Sequence, residues 1–258
     1  MSSSNDSISK TLIVAFSLCI VCAVFVSSAA VLLKPAQEIN KTLDRKRNIL
    51  AAAGMLEEGK SVEEQFAKVT TRVVDLRTGK FTDDVDPAKY DQRKAAKDPS
   101  ESTALTAEQD QAKISRRENY ALVYVVEDSA GKLDKIILPI HGYGLWSTLY
   151  GFIALEDDAN TVAGLGFYEH GETPGLGGEV DNPRWKGMWP GKKVYRDDDV
   201  AIKLVKGSVD PNSPQAEWQV DGLAGATLTS TGVTHLVQFW LGENGFEPFL
   251  ENLKSGEA

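Results

Sequence analysis

The sequence predicts an α+β domain of mainly antiparallel strands, carried behind a single N-terminal transmembrane helix. Three observations predict it. Thr11 to Leu33 runs 23 residues without a charge. Between residues 121 and 205, β-rich runs alternate with turn sequences. Near the C-terminus Val233, Leu236, Val237, Trp240 and Leu241 recur at i, i+3, i+4, i+7 and i+8, one face of an amphipathic helix. Antiparallel strands with helices at their ends are the most economical way to bury these faces.

The charge-free stretch would extend roughly 34 Å as a helix, enough to cross a hydrocarbon core of about 30 Å. A signal peptide is the rival reading, and Ser27-Ser28-Ala29-Ala30 imitates a cleavage region. Signal peptides carry a shorter apolar core, so an uncleaved anchor in the lipid bilayer is the better reading. Residues 1–10 then form a short tail, 11–33 the membrane helix, 34–104 a helical stalk and connecting segment, and 105–258 the exposed domain. Flanking charge argues for a cytoplasmic domain, because Lys34, Lys41, Arg45, Lys46 and Arg47 follow the helix and only Lys10 precedes it. Long domains cross regardless of such charges. Cys19 and Cys22, the only cysteines, lie inside the membrane helix and read first as small apolar side chains. The domain has no disulfide, so its stability must come from its core.

Gln37 to Met55 reads as a helix closing at Gly54, and Ser61 to Val69 as a further short helix. Asp83 to Ser102, rich in Asp, Lys, Pro and Ser, reads as a connecting loop, and Leu105 to Arg117 as a helix. Strands follow at Ala121–Val126, Lys135–Ile140, Leu149–Leu155, Val162–Glu169 and Val200–Val205. Turns stand at Asp128–Gly131 and Asp157–Asn160. A helix from about Ser230 to Gly242 closes the domain.

A net charge of −9 and the lack of a basic stripe argue against a nucleic-acid partner. The sequence has no Gly-x-Gly-x-x-Gly after a strand and no P-loop, so this chain is not expected to bind NADH or ATP. His141, His170 and His235 lack metal-ligand spacing and read as structural. Asp197-Asp198-Asp199 reads as a solvated turn, and Trp185 and Trp189 as parts of a packed loop. No acid, base and nucleophile set stands out, which suits a carrier better than a catalyst.

Asp221-Gly-Leu-Ala-Gly-Ala-Thr227-Leu-Thr-Ser-Thr-Gly-Val233 is the most informative segment. The flexible Gly225-Ala226 step presents the Thr227 hydroxyl, with Thr229, Ser230 and Thr231 behind it, at the start of the last helix. Free N–H groups and the helix dipole favour an anion such as phosphate there, although a hydroxyl-capped turn is also ordinary structure. Three glycine-containing loops could meet a flat ligand: Gly142-Tyr-Gly-Leu-Trp146, Glu172-Thr-Pro-Gly-Leu-Gly-Gly178 and Lys206-Gly207. Pro174-Gly175 suits a type II turn. Gly177 and Gly178 allow backbone N–H groups close to a ligand, and Lys206 could place an ammonium near a phosphate. Plain turns are the alternative for each.

Asp221-x-x-Ala224-Gly225-Ala226-Thr227 resembles the flavinylation motif of bacterial flavin transferase substrates. Through Leu228-Thr229-Ser230 the run is similar to the C-subunit family of sodium-translocating NADH:quinone oxidoreductases, whose cousin is the G-subunit of the Rnf complex. The resemblance extends from the anchor to Gly245–Phe249. It implies FMN joined through its phosphate to Thr227, with Ala224 standing where the family usually carries Ser or Thr. Loops like the first two line the family's flavin pocket, which implies Leu145, Trp146, Glu172, Thr173, Leu176, Gly177 and Lys206 as cofactor neighbours.

The resemblance also implies a bacterial inner-membrane protein with a periplasmic domain, matured by a flavin transferase and assembled with other membrane and peripheral subunits. Electrons would pass from a partner metal centre to the flavin of another subunit and on toward ubiquinone, with sodium movement elsewhere in the complex. A second reading of Cys19 and Cys22 is contact with such a metal centre. Two alternatives stay open: an Rnf-type ferredoxin:NAD subunit, and a flavin-free, membrane-tethered assembly module. The Asp83–Ser102 insert and the Thr227 neighbourhood favour the quinone-reductase version.

Overall fold

A computed structural model describes residues 7–258; residues 1–6 of the expected tail lie outside the described residues. The chain divides into two compact units, one ending at Arg45 and one from Lys46 to Ala258. Helix α1, Ile8–Ala52, runs unbroken for 45 residues with Pro35 inside it. The charge-free stretch and the stalk expected after it are therefore one helix. Its most apolar 18-residue window has a mean hydropathy of 2.6, and none of that window is buried within the protein. Apolar side chains such as Ile13, Phe16 and Phe25 are left exposed, as a lipid-facing segment requires. Gly54, at φ 68°, stands just beyond the helix end, where glycine adopts the left-handed conformation without a Cβ clash.

The second unit begins with the last turns of α1, then α2 (Val62–Phe66), capped by the Ser61 hydroxyl accepting the Glu64 N–H at 3.2 Å. Strands β1 (Val69–Asp75) and β2 (Lys80–Thr82) follow. Next come the short helix α3 (Gln92–Ala95) and strands β3 (Ser102–Ala104) and β4 (Arg116–Glu118). The central strands are β5 (Tyr120–Glu127), β6 (Leu133–Tyr143), β7 (Thr148–Glu156) and β8 (Val162–Glu169). A 3₁₀ turn at Gly177–Asp181 leads into α4 (Pro183–Lys186). Strands β9 (Tyr195–Arg196), β10 (Asp199–Val200), β11 (Lys203–Val205) and β12 (Gln219–Asp221) precede helices α5 (Thr227–Leu241) and α6 (Glu247–Ser255).

Six strands form one sheet in the order β2-β1-β5-β6-β7-β8, every neighbour antiparallel. The four strands β5–β8 match the sequence expectation closely because each is an apolar run bounded by a turn. Their faces are buried on both sides. Alternate residues Ala121, Val123 and Val125 join a core with α5 and α6, while Leu122, Tyr124 and Val126 join a second core with Ile49, Leu50 and Ala52 of α1. Gly142 lets α5 lie against β6: a Cβ there would meet the Leu236 Cβ at 2.5 Å.

Several elements differ from expectation. Residues 105–117 form no helix. The Asp110 carboxylate accepts the N–H groups of Ile114 and Ser115 at 2.7 and 2.8 Å, and Lys113 and Ser115 take φ 54° and 63°; side-chain bonds to the backbone have displaced the helix ladder. Strands β1 and β2 lie in the segment read as stalk and connector, yet they pair into the central sheet. The single strand expected at Val200–Val205 is split into β10 and β11, because the N–H groups of Ala201 and Ile202 turn to the Val194 carbonyl. Asp197 and Asp198, at φ 51° and 70°, make the two-residue connection of the β9–β10 hairpin, which needs left-handed backbone at both positions. The closing helix starts at Thr227, three residues earlier than expected, and α6 rather than α5 ends the fold.

Candidate functional site around Thr227

Thr227 is the first residue of α5, and no side chain caps that helix start. The first-turn N–H groups have no intrahelical acceptors, and together with the dipole they form an anion-favouring end. The approach to it is held at several points. The Trp185 indole N–H donates to the Asp221 carbonyl at 2.9 Å, and the Asp221 carboxylate accepts the Val209 N–H at 2.8 Å. β12 runs parallel to β11, with Asp221 opposite Val205. The Gly222 N–H then donates to the Gly207 carbonyl at 3.0 Å. This places the Lys206-Gly207 loop beside the start of the hydroxyl segment, with Lys206 exposed.

The four hydroxyls of this segment have separate fates. Thr229 is fully buried and donates to Glu172 Oε2 at 2.6 Å. Ser230 is buried, accepting the Leu223 N–H and donating to the Ala226 carbonyl. Thr231 donates to the Thr227 carbonyl at 3.0 Å. Thr227 is exposed, and its hydroxyl has no hydrogen-bond partner among the described residues.

Glu172 gathers the other loops. Its Oε1 accepts the N–H groups of Leu145 and Trp146 at 3.0 Å each and of Ser147 at 3.3 Å. Its side chain is buried, which pushes the carboxyl up, but the Thr229 hydroxyl and the N–H groups of Trp146, Leu145 and Ser147 outweigh this and hold it below the ordinary carboxylate range. Thr173, Pro174, Gly175 and Leu176 make the expected turn: Gly175 has φ 75° and the Leu176 N–H returns to the Thr173 carbonyl at 3.1 Å. The Gly178 N–H also donates to that carbonyl, at 2.9 Å, so it is used within the loop. Gly225 (φ 71°) approaches Leu176 so closely that a Cβ would lie 3.0 Å from Leu176 Cδ2. Ala226 is buried in the core, while Ala224 is exposed.

Leu145, Trp146, Glu172, Thr173, Leu176, Gly177, Gly225, Ala226 and Thr227 thus come together from three segments, with Lys206 on the neighbouring loop. Large apolar side chains remain uncovered here: Trp146 is 65% exposed, Leu228 61% and Leu176 44%. Soluble domains bury such groups or hold them for a ligand or partner. An unbonded hydroxyl, an uncapped helix start and exposed apolar side chains fit a phosphate-linked planar ring such as FMN. Ser147, Leu228 and Thr229 were not singled out as site residues from sequence. Leu228 had one visible signal, a large apolar residue off the apolar face of α5.

Several of the other marked residues have structural partners. The His170 ring bonds Asp181 at 2.8 Å and accepts the Glu172 N–H at its other nitrogen. His141 stacks on Tyr150, and Trp185 meets Trp189 edge-on with centroids 5.6 Å apart. Cys19 and Cys22 are exposed on the apolar part of α1. An open cavity lined by Pro190, Lys192, Val209, Pro211 and Glu217 includes none of the residues around Thr227.

A family model described as an FMN-binding domain matches residues 144–242, from the Trp146 loop to the end of α5. The Na(+)-translocating NADH-quinone reductase C-subunit of Pseudomonas aeruginosa is 58% identical, over 98% of this chain and 99% of that one. The protein of the same name from Vibrio anguillarum is 52% identical, over 99% of each chain. Among solved structures, that of Shewanella oneidensis NqrC superposes with a TM-score of 0.76 at 40% identity, covering 82% of this chain and 97% of that one. That of the C-subunit from Parabacteroides distasonis gives a TM-score of 0.66 at 27% identity, covering 84% of this chain and 96% of that one. With an FMN-binding domain behind one apolar helix and more than half its residues shared along nearly the whole length of a relative, the chain belongs to the C-subunit family of the Na(+)-translocating NADH-quinone reductase.

Proposed function

We propose that Thr227 carries FMN through a phosphoester and that the domain relays electrons within the reductase complex. One observation carries this reading: of the four neighbouring hydroxyls only Thr227 is both exposed and unbonded, and it stands on an uncapped helix start. In forming the ester the Thr227 oxygen would bond to the flavin-side phosphorus of a flavin dinucleotide, the phosphoanhydride bond would break, and the second nucleotide would leave as its monophosphate, taking up the hydroxyl proton. The free N–H groups of α5 and the Lys206 ammonium stabilise the phosphate charge. Trp146, Leu176 and Leu228 shelter the ring, and Leu145 and Thr173 shape its surroundings. When bound, FMN supplies one- and two-electron chemistry, while the protein sets its position and potential.

The remaining partners follow from the same reading. A flavin transferase installs the group, a partner metal centre donates electrons, and the flavin of another subunit accepts them on the way to ubiquinone. The chain is a single-pass protein of the bacterial inner membrane with its domain in the periplasm. Cys19 and Cys22 would face the partner metal centre only if the helix packs against the subunits that hold it. A flavin-free assembly role is disfavoured, because Ala224 is exposed and its lack of a hydroxyl leaves no internal contact unmade.

The test is ultraviolet in-gel fluorescence and intact mass of the denatured chain, co-expressed with a flavin transferase. Wild type should gain one FMN-sized increment. Thr227→Ala should be dark, and Thr229→Ala and Ser230→Ala should remain labelled. Label retained in Thr227→Ala would overturn the assignment.

A further inference from the structure

Glu172 has the burial and bonding of an internal anchor. The residue is 5% exposed, and its carboxylate accepts four hydrogen bonds from the protein: three from N–H groups on Oε1 and one from the Thr229 hydroxyl on Oε2. Two glycines make room for it. A Cβ on Gly144 would lie 2.6 Å from Oε1, and one on Gly177 would lie 2.7 Å from Oε2 and 2.6 Å from the Thr229 hydroxyl oxygen. Both glycines therefore let the carboxylate in. The N–H groups of Leu145 and Trp146 are spent on Glu172, so those residues are left with their side chains and carbonyl oxygens, and no backbone donor, to offer a flavin.

The bonded groups belong to two segments distant in sequence. Leu145–Ser147 lies in the β6–β7 turn, and Thr229 lies two residues beyond Thr227 in the first turn of α5. On a helix these two threonines point in nearly opposite directions, so one is tied inward while the other stays in solvent. A second tie reinforces the first: the Gly171 N–H donates to the Ser147 hydroxyl at 2.6 Å.

We propose that Glu172 is a positioning residue: by clamping the 145–147 turn to the first turn of α5 it sets the place of the Trp146 and Leu176 side chains relative to the Thr227 attachment point, without touching the flavin. This deepens the flavin-carrier reading and rests on it for the cofactor; the clamp itself is a property of the protein.

The experiment uses the full chain in detergent, with and without co-expressed flavin transferase, as wild type, Glu172→Gln and Glu172→Ala. Glutamine keeps an acceptor for the three N–H groups, and its amide can donate to the Thr229 hydroxyl; alanine leaves all four donors unpaired. Without flavin, amide hydrogen exchange at Leu145, Trp146 and Ser147 should rise by about tenfold or more in Glu172→Ala and change by less than about threefold in Glu172→Gln. Exchange in β5 should be unchanged in both. With flavin, denatured chains should carry equal label, while the native flavin of Glu172→Ala should show lower fluorescence anisotropy than wild type and that of Glu172→Gln should match it.

Unchanged exchange in Glu172→Ala would overturn the clamp. Equal disturbance of native flavin anisotropy and midpoint potential by both substitutions would overturn the positioning role in favour of direct charge contact. Unlabelled wild-type chain would instead overturn the flavin-carrier reading, and the exchange data would still decide the clamp.

Discussion

The Ser230 hydroxyl accepts the Leu223 N–H at 2.9 Å and donates to the Ala226 carbonyl at 3.1 Å, so one buried side chain closes the loop that presents Thr227. Ser230→Ala leaves the buried Leu223 N–H unpaired. It should destabilise the domain by about 1–3 kcal/mol, read as a lower urea midpoint with an unchanged slope. A midpoint equal to wild type would show that water or a backbone shift replaces the bond.

Gly232 lets α5 seat against the end of β6. A Cβ there would lie 2.5 Å from the Tyr143 carbonyl oxygen and 2.9 Å from the Gly144 Cα, and neither backbone atom can rotate away. Gly232→Ala should therefore cost about 1–3 kcal/mol by overpacking, despite the higher helix propensity of alanine. Gly166 is the matched control. Nothing lies within 4 Å of a Cβ at that position, and Gly166→Ala should shift stability by no more than about 0.5 kcal/mol. Equal effects at the two sites would refute the close-approach argument.

How far the sequence revealed this arrangement depends on the range of the interactions. Strands β5–β8 were legible because apolar runs and turn residues are local signals, and the Thr173–Leu176 turn was legible from Pro174-Gly175. The loops around Thr227 came forward through their resemblance to a family. The division of labour among the hydroxyls was hidden, because what sets Thr229 apart from Thr227, its burial and its bond to Glu172, depends on a residue 57 positions away. The missing helix at 105–117 had helix-forming residues, but Asp110 used its side chain locally to capture two N–H groups. Strand β1 was obscured by Thr70, Thr71 and Arg72 within its apolar pattern, and its pairing with β5 and β2 establishes it.

Glu118 gives stability a pH dependence of definite sign. It is fully buried; Gln92 donates to one carboxylate oxygen at 2.5 Å and the other oxygen has no partner. Burial pushes its pKa up from 4.5 to about 7, against opposing pulls from the Gln92 bond, its own backbone and Arg117. Between these values the folded chain keeps a proton that the unfolded chain releases. This stabilising contribution is complete below about pH 4.5 and is lost as pH rises through about 7. His141 acts oppositely, since burial and then Arg93 push it down from 6.5 to about 4; its contribution is lost as pH falls. The difference between wild type and Glu118→Gln isolates the first effect. Wild type should lose stability relative to the variant with a slope approaching about 1.4 kcal/mol per pH unit between about pH 5 and 7. A flat difference curve from urea titrations across that range would show that Glu118 does not hold the proton.

Ala224 tests whether the unusual motif residue affects folding or only recognition. Its side chain is exposed between the buried Leu223 and the left-handed Gly225, so a hydroxyl added there meets solvent and displaces no packed group. Ala224→Ser should leave stability within about 0.5 kcal/mol of wild type. If the hydroxyl seats this loop in the transferase with a single added hydrogen bond, the initial rate of label incorporation should rise by about twofold to tenfold, while final loading stays at one flavin per chain. Competition between the two chains for limiting transferase reads this ratio directly. A ratio of one would mean that the transferase reads Asp221, Gly225 and Thr227 without help from position 224. A change in unfolding midpoint would instead mean that the loop packs differently once the hydroxyl is present, and would move the role of position 224 from recognition to folding.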